Sequence, residues 1–470
     1  MTHKPEYGLI GLGTMGAALA LNIAEKGNKI AVYNRTTKVT DEFIAASGAL
    51  RDQLVATASL KDFVAAIQAP RKIILMVPAG PIVDAQIEAL VPLLDADDLI
   101  IDAGNAHYAD TNRRFKEAET AAYNFLGIGV SGGEEGARHG PSIMVGGAQS
   151  DWEAVAPVLR AISAKYEDTP CAEHMGAGGA GHYVKMVHNG IEYADMQMIA
   201  EAYAVFRDGL GWTSTQVAEA FEQWNTGPLA SYLVEISGKV SRATDPVTGK
   251  AMLDVILDQA GQKGTGRWTA IEAQMLGVPV PVIEAAVAAR NLSAKRDTRI
   301  QGAERFGSPL QPLTSDDITP EMLEKALTAG KILCYAQGFE MLDAASRHFE
   351  WSLPMSNIAR VWREGCIIRS DMLGDMAEAL DKSSSQNLIF SAPFCDMLMD
   401  CESALRATVL AATKAGIPVP ALAAGLSWFD TMRTARTPAN MIQAQRDFFG
   451  AHGFKRLDDV DAPHGPWAAQ

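Results

Sequence analysis

Four polar residues interrupt the otherwise helical run GHYVKMVHNGIEYADMQMIAEAYAVF: Lys185, His188, Asn189 and Glu192. Their spacing of i, i+3, i+4 and i+7 puts them on one face of a helix. Seven residues advance a helix by roughly 10 Å, enough for Lys185 and Glu192 to flank a small ligand with His188 and Asn189 between them. A base and an acid on either side of a substrate make a general acid–base layout. A solvated Lys/Glu pair is the plain alternative, but Tyr183, Val184, Met186, Val187 and Ile191 cover the other sides of the helix. The polar face is therefore expected to lie against protein, where a partly desolvated lysine has a lowered pKa and can act as a base.

A second chemistry is written in GLIGLGTMG, where Gly11, Gly13 and Gly16 stand in G-x-G-x-x-G spacing between a strand-like run and the helix-like AALALNIAEKG. Glycines there permit a tight turn and a close backbone approach to a pyrophosphate at a helix N-terminus. Thr14 and Met15 complete that loop. The next strand ends in YNRTT, offering Asn34, Arg35 and Thr36 where an NAD site usually offers an acidic side chain. An arginine and a hydroxyl suit a 2′-phosphate, so NADP is the expected cofactor. GAGGAG (Gly176 to Gly181) has the same spacing, but the preceding YEDTPCAEHM is polar and reads as no strand. It is taken as a flexible approach to the 182–206 helix rather than a second nucleotide site.

DAGN (Asp102 to Asn105) and VSGGEEGARHGPS (Val130 to Ser142) fall at the C-terminal ends of strand-like runs, where open α/β sheets bind ligands. QKGTGRW (Gln262 to Trp268) lacks the P-loop frame. It reads either as a solvated turn or as an anion loop with Lys263 as point charge and Thr265 as donor.

The elements that must position these residues divide the chain. From residue 6 to about 165, the runs YGLIG, NKIAVYN, RKIILMV, DLIIDAG and YNFLGIGV alternate with Ala-rich amphipathic stretches. That pattern predicts a Rossmann-like doubly wound sheet over 1–178. Helical patterns then dominate, giving a large all-helical domain over 179–435, followed by a specific-looking tail over 436–470 whose last residues could fray. Within the helical half, Gly-hydrophobic-Glu, Trp and Trp-x-x-Gly recur in order, from NGIEYADMQ to AFEQWNTG and from QGFEMLDAA to ARVWREG. This suggests a duplicated helical unit with Glu340 echoing Glu192.

At 470 residues and a formal net charge of -15, the chain is multidomain and lacks the basic footprint that nucleic acid or an anionic membrane requires. Five scattered cysteines suit free thiols in a reducing cytoplasm. The N-terminus has no signal-peptide layout, and no apolar run reaches transmembrane length, so a cytoplasmic location is expected.

GHYVKMVHNGIEYADMQ, ILDQAGQKGTGRWT, VSGGEEGARHGPS and PANMIQAQRDFFGAH resemble the decarboxylating 6-phosphogluconate dehydrogenases, with the likeness running from the N-terminal fingerprint to His452. The resemblance implies oxidation of 6-phospho-D-gluconate by NADP+ to D-ribulose 5-phosphate and carbon dioxide, in the oxidative pentose phosphate pathway and without a metal. It implies Lys185 as base and then acid, and Glu192 as acid. Sugar-acid contacts would come from Asn105, Ser131, Gly132, Gly133, His188 and Asn189. Phosphate contacts would come from Tyr193, Lys263, Thr265 and Arg290, with Arg446 and His452 from the tail of a partner subunit in a homodimer. Val77 and Asn105 would join the fingerprint residues at the cofactor. The chain departs from the family pattern as Pro78 (commonly a lysine), Gly13, Thr14, Ala103 and Glu364. Rival readings are a non-decarboxylating β-hydroxyacid dehydrogenase and a silent NADP-binding sensor.

Overall fold

The computed structural model describes residues 4–121, 123–383 and 387–469. Its strands are β1 (Tyr7–Ile10), β2 (Ile30–Tyr33), β3 (Leu54–Ala56), β4 (Lys72–Leu75), β5 (Leu99–Asp102), β6 (Asn124–Val130), β7 (Ile143–Gly147), the short pair β8 (Lys165–Tyr166) and β9 (Thr169–Pro170), and β10 (Ala172–Gly176). The large sheet runs β10-β7-β6-β5-β4-β1-β2-β3. It is parallel except between β6 and β7, where Val130 opposes Ile143. Successive residues of one strand face opposite layers, as the period of two requires. Leu9 and Ile101 belong to one buried cluster, Ile10 and Ile100 to the other. This is the expected doubly wound domain, with its switch point between β1 and β4.

One expectation needs correction: a strand, β10, does precede GAGGAG. It lies at the sheet edge, where polar residues are tolerated, so Glu173 and His174 hide the apolar signature. The glycines are nonetheless filled by protein. A Cβ at Gly181 would sit 2.5 Å from Gly146 N and Met144 O, and one at Gly179 2.5 Å from Tyr108 O.

The remainder is helical, built around the 25-residue helix Ala180–Ala204 and the 29-residue helix Pro320–His348. The two cross closely, since a Cβ at Gly338 would meet Ile191 Cδ1 at 2.6 Å. The duplicated unit is visible in the order of elements. Helix Thr265–Leu276, then GVPVP, then helix Pro281–Ser293 is matched by Ala392–Lys414, GIPVP and Pro420–Met432. Gly277 and Gly416 take φ of 67° and 68°, the left-handed C-cap that favours glycine. The two copies meet in an antiparallel bridge between Ser231 and Ser370. Beside it the buried Lys331 ammonium binds Asp195 Oδ2 at 2.8 Å and Ser231 Oγ at 3.2 Å. Glu340 accepts a hydrogen bond from Asn387 Nδ2 at 2.9 Å, a structural use of the residue that echoes Glu192.

The tail folds on itself. Asp447, buried at the end of helix Ala439–Gly450, accepts from Gly453 N, Gly465 N and Trp467 Nε1, each at 2.9 Å, and meets His464 Nδ1 at 2.7 Å. Those contacts hold His464, Gly465 and Trp467 to the helix, and Pro466–Ala469 form a short 3-10 turn; Gln470 lies outside the described residues. Among the described residues no helix is long and apolar enough to cross a membrane.

Candidate active site

The Ala180–Ala204 helix is buried along most of its length, its N-terminal half against β6 and β7 and the helix as a whole packed by Thr265–Leu276, Pro281–Ser293 and Pro320–His348. Glycines on the strands make this possible. A Cβ at Gly129 would lie 2.4 Å from Lys185 Cβ, and one at Gly127 would lie 2.9 Å from His182 Nδ1. Alternate positions on the strand thus receive residues three apart on the helix.

Lys185 is only 7% exposed. Its ammonium donates to Ser131 Oγ at 2.7 Å and stands 3.3 Å from His188 Nδ1. The His188 ring also meets Asn189 Oδ1 at 3.1 Å and, through Nε2, Ser131 Oγ at 3.3 Å, with Trp362 edge-on at 5.7 Å. Burial lowers the Lys185 pKa, opposed by the Glu192 carboxylate. Burial, aided by the Lys185 charge, drives His188 well below the usual imidazole range. A neutral His188 makes its 3.8 Å approach to Glu192 Oε2 a polar contact, not an ion pair. Burial raises the Glu192 pKa, opposed by the charges of Lys185, Arg290 and Lys263. The face therefore holds a lysine eased toward its neutral form and a glutamate eased toward its protonated form, the states a base and an acid need. Cys366 is a buried thiol pushed up to about 12 by desolvation, as expected of a core cysteine.

Beyond Glu192 lies a cationic pole. The Arg290 guanidinium stacks 3.6 Å over the Tyr193 ring. Gly266 is pressed on the same ring, since its Cβ would lie 2.5 Å from Tyr193 Cδ2. Lys263 is exposed just before Gly264, a left-handed N-cap, and Thr265 opens the helix. Lys263, Thr265, Arg290, Tyr193 and the helix N-terminus are the groups here that could hold an anion.

The turns after β5 and β6 border the same helix. Asn105 is exposed beyond Gly104, whose carbonyl is held by His182 Nε2 at 3.0 Å. Gly132 and Gly133 adopt φ of 98° and 64° directly after the buried Ser131.

At the switch point the fingerprint makes a cradle that side chains would fill. A Cβ at Gly11 would lie 2.4 Å from Met76 O, and one at Gly16 1.9 Å from Gly11 O, whereas Gly13 faces open space. Gly13 caps the helix Thr14–Glu25, with Thr14 exposed and Met15 partly buried. The donors of that first turn, with room above Gly13, fit a dinucleotide pyrophosphate. Asn34 Oδ1 accepts from Leu12 N at 3.1 Å, so this side chain braces the glycine turn. Arg35 and Thr36 are exposed beside it, and Val77 lines the turn after β4.

Arg446 and His452 stand apart. Arg446 reaches Gln443 Oε1 at 3.4 Å and His452 packs edge-on to Phe449 at 5.9 Å, contacts within the tail itself. Sequence reading missed Gly127, Gly129, His182 and the buried Arg114. The one available signal was the glycine alternation in FLGIG, which is unusual for a central strand.

Comparison with known proteins agrees with this geometry. Residues 6–176 match the family model for the NAD binding domain of 6-phosphogluconate dehydrogenase, and residues 181–467 match its C-terminal domain. The chain is 46% identical to the NADP(+)-dependent, decarboxylating 6-phosphogluconate dehydrogenase of Bacillus subtilis over 99% of both chains. It is 44% identical to the decarboxylating enzyme of Escherichia coli K12, again over 99% of both. The solved Plasmodium falciparum 6-phosphogluconate dehydrogenase superposes with a TM-score of 0.94 at 38% identity, over 98% of this chain and 100% of that one. The chain belongs to the 6-phosphogluconate dehydrogenase family.

Proposed function

We propose that the protein oxidatively decarboxylates 6-phospho-D-gluconate to D-ribulose 5-phosphate with reduction of NADP+. The observation that carries this reading is the single helix face on which Lys185, buried against Ser131 and His188, is followed by Glu192 and then by the Lys263/Arg290 pole. The dianionic phosphate belongs at that pole, with Tyr193 and Thr265. The sugar chain then extends along His188 and Asn189 toward Asn105 and the Ser131–Gly133 turn.

Bound NADP+ supplies the hydride acceptor for the third carbon. Neutral Lys185 takes the proton of the hydroxyl on that carbon as it becomes a ketone. The resulting β-keto acid breaks the bond to its carboxylate, and the electron pair moves toward the keto oxygen, which the Lys185 ammonium polarises. Glu192, protonated, delivers a proton to the carbon that lost carbon dioxide, and the ketone re-forms. Arg35 and Thr36 are the side chains for the 2′-phosphate.

The same reading makes the protein a cytoplasmic homodimer, each tail bringing Arg446 and His452 to its partner's phosphate pole. In support, the tail leaves Phe448 69% and Phe449 73% exposed in the single chain, and among the described residues the hydrogen bond of Arg446 and the ring contact of His452 both lie within the tail.

The test is reduction of NADP+ by 6-phosphogluconate, with NAD+ and unphosphorylated gluconate in parallel. Strong preference for the phosphorylated acid is expected. Equal rates with gluconate would favour a non-phosphorylated hydroxy acid as substrate, and NADP binding without turnover would favour a sensor.

A further inference from the structure

We infer that His182 is a positioning residue for this reaction: it fixes the Asp102–Asn105 turn against the helix that carries Lys185, an inference that rests on the roles proposed above for Lys185 and Asn105. His182 precedes Lys185 by three residues and so shares its side of the helix. Lys185 reaches the turn after β6, through Ser131, while His182 reaches the turn after β5, through Gly104.

The direction of each bond follows from the groups. A carbonyl only accepts, so His182 Nε2, 3.0 Å from Gly104 O, carries a proton. Nδ1 is then free to accept, and Thr111 Oγ1 donates to it at 2.8 Å; the hydroxyl's other neighbour, His107 O, is farther at 3.3 Å. Burial lowers the pKa of this imidazole, against the opposing pull of Asp102 and of the Gly104 and Ile128 backbone.

The bond is one link in a buried set. Gly104 N donates to Asp102 Oδ1 at 3.1 Å, and Asp102 Oδ2 meets Arg114 Nη1 at 3.3 Å. Arg114 in turn donates to Gly80 O at 3.0 Å and Asp84 Oδ1 at 2.7 Å. Two turns at the carboxyl edge of the sheet, one after β4 and one after β5, are thereby tied to the helix of the base. β6 is shaped for this, because a Cβ at Gly127 would lie 2.3 Å from Thr111 Cγ2 and 2.9 Å from His182 Nδ1. An apolar side chain could fill the space of His182 but would leave Gly104 O unpaired and the height of Asn105 unset.

The experiment compares His182→Gln, whose amide N–H lies as many bonds from Cα as Nε2, with His182→Leu. Expected is a fall in kcat on the order of 100-fold for His182→Leu, and retention within about threefold for His182→Gln, with NADP+ affinity measured without substrate nearly unchanged in both. Wild-type kcat in His182→Leu, or an equal loss in both folded variants, would overturn the inference. Thr111→Val covers a failure of His182→Leu to fold: about tenfold lower kcat is expected, and unchanged turnover would overturn the inference. In the wild type, 15N NMR should show the neutral Nε2–H tautomer at neutral pH; the Nδ1–H tautomer or the cation would overturn the inference without any substrate present. Failure of the proposed reaction would show instead as a wild type silent on 6-phosphogluconate.

Discussion

Gly129 and Lys185 touch so closely that a Cβ on the glycine would lie 2.4 Å from Cβ of the lysine. The contact is with the stem of the lysine near its own backbone, so the helix or β6 must move to admit a methyl group. Gly129→Ala is therefore expected to cost about 1–3 kcal/mol in urea unfolding, and to lower kcat more than it lowers cofactor affinity.

Burial disfavours the charged form of Lys185, so the lysine weakens the fold at neutral pH even as it serves the reaction. The sign follows from its lowered pKa: the unfolded chain binds the proton more tightly, and stability falls as pH drops from the ordinary lysine value of 10.5 toward the folded one. Lys185→Met should be inactive yet melt higher than wild type at neutral pH, with the gain shrinking as pH rises from the lowered Lys185 pKa toward 10.5. Thermal melts across pH check this.

A base that must be neutral and an acid that must be protonated give a bell-shaped rate profile. Burial moves the Lys185 and Glu192 pKa values toward each other, and the two limbs belong to the pair. The Lys263 charge holds Glu192 down, so Lys263→Met should shift the limb set by Glu192 to higher pH, besides raising KM for the phosphorylated substrate. A kcat profile in which neither limb moves would show that the acid is not Glu192.

Lys331 and Asp195 join the two helical copies with side chains 0% and 2% exposed. Removing one partner strands the other charge in the core, so Lys331→Met should cost about 3–5 kcal/mol. Lys331→Met with Asp195→Leu should recover much of that in denaturant unfolding, since no charge is then left unpaired.

Arg35 is exposed beside the fingerprint and, among the described residues, makes no hydrogen bond or ion pair. A guanidinium bound to a 2′-phosphate contributes about 1.5–3 kcal/mol. Arg35→Ala should then raise KM for NADP+ by roughly 10–100-fold and leave that for NAD+ unchanged, as parallel kinetics with the two cofactors would show.

Much of this was legible in the residues. β1, β2, β4, β5 and β6 are buried on both sides in a mainly parallel sheet and so read as unbroken apolar runs. β3 spans three residues, β7 ends in two glycines and β10 is polar at the edge, so each lacked that signature. The polar face of the long helix was readable because helix geometry fixes which residues align. His182, Gly127 and Gly129 were not, since their meaning depends on a strand and a helix that only the tertiary fold brings together. The GVPVP and GIPVP turns were a local signal of the duplication, clearer than the Trp and Glu spacing that first suggested it.

The most direct test of the central claim is a single-turnover measurement of NADPH and trapped carbon dioxide from 6-phosphogluconate, for the wild type and for Lys185→Met. The account predicts one carbon dioxide per NADPH from the wild type, and neither product from Lys185→Met although it still binds the substrate. Formation of both products by Lys185→Met at a rate near that of the wild type would contradict it.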